Sequence, residues 1–189
     1  MKNYAFSDEG VAKKEIGTGR AIAYAICLLV LCVLLALLQT SGITVFFAVP
    51  DALLALVCAA GFVMSAGFGA AYGVLAAVLV SILGGSGFTL IPFVYVLCGY
   101  LCGALKNKIL SSNFPSFLVF GAIAGGVREI FTLIYYGLIS EEIDVGLIIK
   151  DVLIGEYFAY ILCLVPIYFA VLGVYLLFKG KDEVSHTVR

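Results

Sequence analysis

Charge is what this sequence has least of. From Ala21 to Phe178 the charged residues are Asp51, Lys106, Lys108, Arg128, Glu129, the group Glu141, Glu142, Asp144 and Lys150, and then Asp151 and Glu156. Across the chain 12% of residues are charged against 63% hydrophobic, with a mean hydropathy of +1.17, and that balance excludes a water-soluble globule with a polar surface. Histidine is nearly missing as well. The single one, His186, lies in the polar tail, so no Ser-His-Asp or Cys-His arrangement can form within the apolar segments. Phosphate loops, dinucleotide fingerprints and zinc-protease motifs are absent. Long polar linkers are absent too, which leaves no place for a second domain. A non-enzymatic protein is therefore expected, with no cofactor, no metal and no nucleic-acid partner.

What is present is apolar sequence in blocks of membrane-spanning length, about 20 residues each. Six spans are expected: about Ala21 to Leu38, Val49 to Met64, Ala66 to Leu83, Leu90 to Leu105, Phe117 to Ile139 and Val152 to Phe178. The first is read as uncleaved, being too long for a signal-peptide core and lacking a small-residue cleavage site. The expected fold is an all-α integral membrane protein, six transmembrane helices in one compact bundle. Residues 1–20 form a polar N-terminal segment, 21–178 the membrane domain and 179–189 a tail. Basic residues orient it. Lys2, Lys13, Lys14, Arg20, Lys106, Lys108, Lys179, Lys181 and Arg189 fall on one side and only Lys150 on the other, so both termini are expected in the cytoplasm and the acidic loop Ser140 to Asp151 outside.

Small residues recur at four-residue spacing. Ser65, Gly69, Gly73, Ala77 and Ser81 share one face of the third span, and the fourth and fifth carry Gly99 with Gly103 and Gly121 with Gly125. Such faces let helix backbones approach closely where lipid is as apolar as leucine. Internal packing of one bundle and a face kept for a partner's helix both fit. Cys27, Cys32, Cys58, Cys98, Cys102 and Cys163 all lie in spans, without the histidines or paired carboxylates of a metal site, and read as small packing residues.

The buried charges are the candidate site, since an ionised side chain in hydrocarbon is costly unless paired or turned toward protein. Arg128 lies about 16 Å from the outer end of its span at 1.5 Å per residue, near mid-bilayer, and Glu156 enters the next span from the same side. A bridge between Arg128 and Glu156, with Glu129 on an adjacent face, is expected, either as a structural clamp or as a polar pocket. Pro50-Asp51 opens the second span, where proline suits the first turn and the carboxylate favours the positive end of the helix dipole. Asp51, Arg128, Glu129 and Glu156 thus form the expected intramembrane polar cluster. Pro166 is expected to kink the sixth span.

The order of these weak motifs resembles the rod shape-determining membrane protein MreD family, over about Gln39 to Phe169. It runs from Gln39 at the end of the first span, through Pro50-Asp51 before Leu53-Leu54 and the Gly69-to-Gly73 helix, to a Gly85-Ser86-Gly87 turn and the stretch from Val94 to Gly103. Arg128-Glu129 ahead of Tyr135-Tyr136, Gly155-Glu156-Tyr157, and Val165-Pro166-Ile167-Tyr168 complete it. The family often carries an acidic residue where this chain has Ser81, and an Asn after the glycine turn where it has Phe88-Thr89. The resemblance implies a non-enzymatic scaffold subunit of the bacterial cell-wall elongation machinery in the cytoplasmic (inner) membrane. Its expected partner is a bitopic MreC-type protein, and through that protein MreB, RodA and its transpeptidase. The alternative is a substrate-binding subunit of an energy-coupling-factor vitamin transporter, faintly suggested by Ala21, Ala23 and Ala25. Against it, the short outer loops lack an aromatic and polar cluster able to enclose a vitamin.

Overall fold

The computed structural model describes residues 18–42, 44, 49–83, 91–106, 113–139 and 154–178. They form six helices: α1 Thr18–Thr40, α2 Ala52–Val63, α3 Ala66–Leu83, α4 Ile91–Leu105, α5 Phe114–Ile139 and α6 Ile154–Phe178. The described residues are all helical apart from short connections, and α1, α3, α5 and α6 are long and apolar enough to cross a membrane. Lys108, the Gly85-Ser86-Gly87 turn, Phe88-Thr89, the acidic loop with Lys150 and Asp151, and both polar ends lie outside the described residues, as do the side chains of Tyr135 and Tyr136.

The organising element is the shortest helix. With 12 residues α2 is about 18 Å long, well short of a hydrocarbon core of about 30 Å. It is apolar on every side, as a helix enclosed by others must be. It touches all five other helices, and ten of its residues, Leu53 through Phe62, are buried. Backbone groups at a helix end inside a membrane cannot be left to lipid, so a short helix is tolerated there only when protein surrounds it and satisfies its ends. At the start of α2, Asp51 Oδ1 accepts from the Leu54 amide at 3.0 Å. At its end, Lys106 Nζ donates to the Val63 carbonyl at 3.2 Å and lies 5.7 Å from the centre of the Phe62 ring. That ring continues into an aromatic layer, Phe62 on Phe117 and Phe117 stacked on Tyr168, which closes this end of the bundle.

Glycine sets how close α2, α3 and α4 come. A Cβ on Gly61 or on Gly69 would strike the carbonyl oxygen of Gly99, and one on Gly99 would strike that of Gly69 and come within 2.5 Å of Val57 Cγ1. One on Gly73 would lie 2.6 Å from Val96 Cα, and one on Gly103 would run into the backbone of Ala66. These are backbone-to-backbone approaches that no side-chain rotation can relieve. Gly121 and Gly125 act differently, making room for side chains of α6: Leu164 lies over the first, and the Tyr160 ring over the second. Tyr160 and Tyr157 donate to the carbonyls of Gly121 and Ala122 on α5 at 2.8 and 3.0 Å, and Tyr72 on α3 donates to Ala25 on α1 at 3.0 Å. The helix α6 runs continuously through Pro166, whose missing amide releases the Leu162 carbonyl from the ladder.

The outer surface is formed by apolar side chains such as Ile22, Leu29, Val74, Ile82, Ile123, Phe158 and Phe169. Their exposure matches a lipid-facing exterior and would be a liability in water. Gly99→Ala and Gly69→Ala are expected to lower stability by about 1–3 kcal/mol through overpacking. Gly126→Ala and Gly173→Ala, where a Cβ would meet nothing within 4 Å, are expected to be neutral or better. Thermal unfolding of the four purified variants in detergent separates the two classes.

Candidate functional site

At the level where α2 and α6 begin, the charged residues of three separate sequence segments meet. Arg128 on α5 is the centre. Its Nη1 donates to Glu129 Oε1 at 2.5 Å and to Glu156 Oε2 at 2.8 Å, and its Nε lies 3.3 Å from Asp51 Oδ2. The last is a charge contact without hydrogen-bond alignment, and Nε has no hydrogen-bond partner among the described residues. Asp51 Oδ2 is instead taken by the Tyr95 hydroxyl of α4, which donates at 2.8 Å. Gln39, at the end of α1, lies beside that same hydroxyl. Thr132, one turn beyond Arg128, donates to the Arg128 carbonyl at 3.0 Å.

Each element has a local reason for its place. Asp51 follows Pro50 and caps α2, so the geometry of the cap aims one carboxylate oxygen at the helix and leaves the other free to face Tyr95 and Arg128. Glu156 lies in the first turn of α6, where a carboxylate complements the helix dipole. Arg128 and Glu129 are neighbours on α5, and the length of the arginine lets one guanidinium bridge from α5 to both α2 and α6. The arrangement is asymmetric in burial: Asp51 and Glu129 are 4% and 5% exposed, while the side chains of Arg128 and Glu156 keep 15% and 26%. The cluster is thus sealed on the α2 side and open at the Glu156 edge.

The four residues expected to form an intramembrane cluster are brought together here, and the α5–α6 bridge of Arg128 and Glu156 is among the contacts. The structure differs from the expectation in one respect. Asp51 is both a helix cap and a partner of Arg128, so the bridge ties three helices rather than two. The cluster is level with the beginnings of α2 and α6 and with the middle of α5, where Arg128 lies about 16 Å from the helix end at Ile139. Tyr95 was not singled out in the sequence. It shares a face of α4 with Gly99 and Gly103 at four-residue spacing, which was the available signal. Gly61 also went unmarked, since its four-residue partner, Ser65, falls in the turn after α2.

Chemically the site is a charge clamp. Among the described residues it has no histidine or cysteine, and no group of side chains there has the arrangement to hold a metal ion. Cys58, Cys98 and Cys102 are buried elsewhere in the core, all of them free thiols. A groove of about 410 Å³ between α1 and α3, lined by Ile22, Ala25, Ile26, Leu29, Phe68 and Leu75 among others, is apolar and opens on the lipid-facing surface.

Because one guanidinium serves three carboxylates, the consequences of mutation should be unequal. Arg128→Leu leaves Asp51, Glu129 and Glu156 facing one another and is expected to cost about 3–5 kcal/mol. Glu156→Leu removes the most exposed member and is expected to cost about 1 kcal/mol. The double variant should stay nearly as unstable as the Arg128 single variant, because Asp51 and Glu129 remain uncompensated. Unfolding midpoints in detergent check this, and full recovery in the double variant would reduce the clamp to a two-residue pair. Comparison of the chain with family models, with curated proteins and with solved structures finds no match.

Proposed function

We propose that the chain is a six-span, non-enzymatic scaffold subunit of the bacterial machinery that elongates the lateral cell wall, of the MreD kind, with both termini in the cytoplasm. The observation that carries this reading is convergence. Gln39, Pro50-Asp51, Tyr95, Arg128-Glu129 and Gly155-Glu156 are dispersed pieces of the motif order that resembles that family, and they meet in one buried cluster. Residues far apart in sequence that form one constellation are better explained as one ancestral design than as unrelated matches. The charge pattern supports the orientation: nine basic residues fall on the side assigned to the cytoplasm, and in the bundle Lys106 caps the end of α2 opposite to Asp51. In this reading α2 and α4, short within the described residues, complete the second and fourth spans.

The partner is a single-span MreC-type protein, and through it MreB, RodA and its transpeptidase. A polar cluster locked by its own contacts and an apolar exterior with a lipid-facing groove between α1 and α3 suit a protein that holds other helices in place. Its setting is the bacterial cytoplasmic membrane.

Two experiments test this. A cysteine introduced at Asp144 is expected to react with an impermeant thiol reagent on whole cells and one at Asn113 is not; labelling at Asn113 would overturn the orientation. The purified protein is expected to bring down a bitopic coiled-coil protein encoded beside it and to carry no small molecule. A stoichiometric vitamin in its mass spectrum would replace the scaffold with a transporter subunit.

A further inference from the structure

The helices α1 and α3 do not close on each other. The buried apolar residues of α1, Tyr24, Leu28, Cys32 and Ala36, recur every four residues and make a narrow seam against the bundle, and beside it the groove of about 410 Å³ is left between α1 and α3. Its rims are the exposed side chains of Ile22, Ile26 and Leu29 on one helix and Phe68 on the other. Ala25 and Ala71, also in the lining, are too short to fill it. Tyr72 is buried at its base, and the Tyr72 hydroxyl already donates to the Ala25 carbonyl at 3.0 Å. The groove therefore presents hydrocarbon to whatever fills it.

Its dimensions select the occupant. From Ile22 to Leu29, and equally from Phe68 to Leu75, is a distance of about 10 Å at 1.5 Å per residue, so 410 Å³ corresponds to a mean cross-section of about 40 Å². An α-helix with its side chains is about 10–12 Å wide, roughly 80–110 Å² in section, and can lie across the rims but cannot enter. A single hydrocarbon chain, about 4–5 Å thick when carbons touch at about 3.5–4.0 Å, does enter, and it restores the dispersion contacts that a void denies to the walls.

The position of the groove selects the headgroup. It begins one turn into α1 and two residues into α3. The ring of Tyr24 meets that of Tyr175 edge to face at 6.1 Å, which brings the last turn of α6 beside the early turns of α1. In sequence, Lys13, Lys14 and Arg20 lead into this place and Lys179 and Lys181 lead out of it, against the acidic Glu15, Asp182 and Glu183. Basic residues in excess where a chain enters the apolar layer attract anionic headgroups. We propose that the groove between α1 and α3 binds one acyl chain of an anionic phospholipid, with its headgroup at the basic start of α1. The lipid tail gives α1 the packing that its narrow seam does not supply. This inference rests on the apolar exterior of the helices and not on the scaffold reading.

The test uses the full chain, purified in mild detergent, incubated with equimolar phosphatidylglycerol and phosphatidylethanolamine and read by native mass spectrometry. One phosphatidylglycerol per chain is expected to remain bound, with about tenfold higher occupancy than phosphatidylethanolamine. Ala71→Trp fills the groove from an exposed wall position and is expected to lose the lipid while remaining folded. Ala71→Leu, a smaller filler, takes its place in the comparison should the tryptophan not be accommodated. Ile123→Trp, on the exterior of α5 and away from the groove, is expected to hold the lipid as the wild type does. The proposal is overturned if the wild type retains no phospholipid, if phosphatidylethanolamine is held as well as phosphatidylglycerol, or if the folded Ala71 variant keeps the lipid. Equal loss in Ile123→Trp also overturns it, because the lipid would then belong to the general annulus around the protein.

Discussion

Everything at the polar end of this bundle follows from the need to satisfy the first turn of α2 inside a low-dielectric environment. A 12-residue helix cannot reach both membrane surfaces, so its orphan amides must be met by protein. The Asp51 side chain meets the one at Leu54, at the expense of placing a buried carboxylate. That carboxylate then needs a cation, and Arg128 supplies it; the arginine in turn needs more acceptors than Asp51 alone offers, and Glu129 and Glu156 provide them. One helix end thus leads to the whole cluster, and through it α2, α5 and α6 are held in one register. A buried network of this kind adds specificity more readily than stability, which suits a protein whose exterior offers few polar marks to define a unique packing.

The second constraint is steric. Gly61, Gly69 and Gly99 bring three backbones so near that none of the three positions tolerates a side chain. Without a hydrophobic drive between helices in lipid, such close approach is the main source of attraction, through dispersion and weak Cα–H···O contacts. The two constraints are linked along α4: Tyr95, which anchors Asp51, is one turn from Gly99, which sets the spacing to α2 and α3. A shift of α4 by one residue would break the polar cluster and the glycine contacts together. Cluster and seam therefore check each other, a local agreement of the sort that gives a sequence a single packed state.

Much of this was legible in the residues themselves. Apolar blocks gave the helices, with boundaries a few residues off; α2 begins at Ala52 rather than near Val49, because Asp51 is its cap. The scarcity of charge picked out Asp51, Arg128, Glu129 and Glu156, since residues that are costly in lipid stand out against sixty-three per cent hydrophobic sequence. Four-residue spacing picked out Gly69, Gly73, Gly99 and Gly103. Less could be said of which helix meets which. In a soluble protein a polar face tells outside from inside, but here nearly every face is apolar, so periodicity carries little about orientation. Gly61 and Tyr95 were missed for that reason: neither breaks the apolar pattern, and their importance lies in what comes near them.

The sequence by itself determined that the chain is helical, that it carries helices fit to cross a membrane, and that its rare charges must be gathered rather than dispersed, because each of these follows from the composition of single segments and the cost of polar groups in hydrocarbon. Only the tertiary structure decided that Asp51 serves both α2 and Arg128, and that one guanidinium is shared among three carboxylates. Those facts depend on distances of a few ångströms between residues far apart along the chain, and such distances are fixed by the glycine contacts and the depth at which α2 begins. Neither is a property of any one segment.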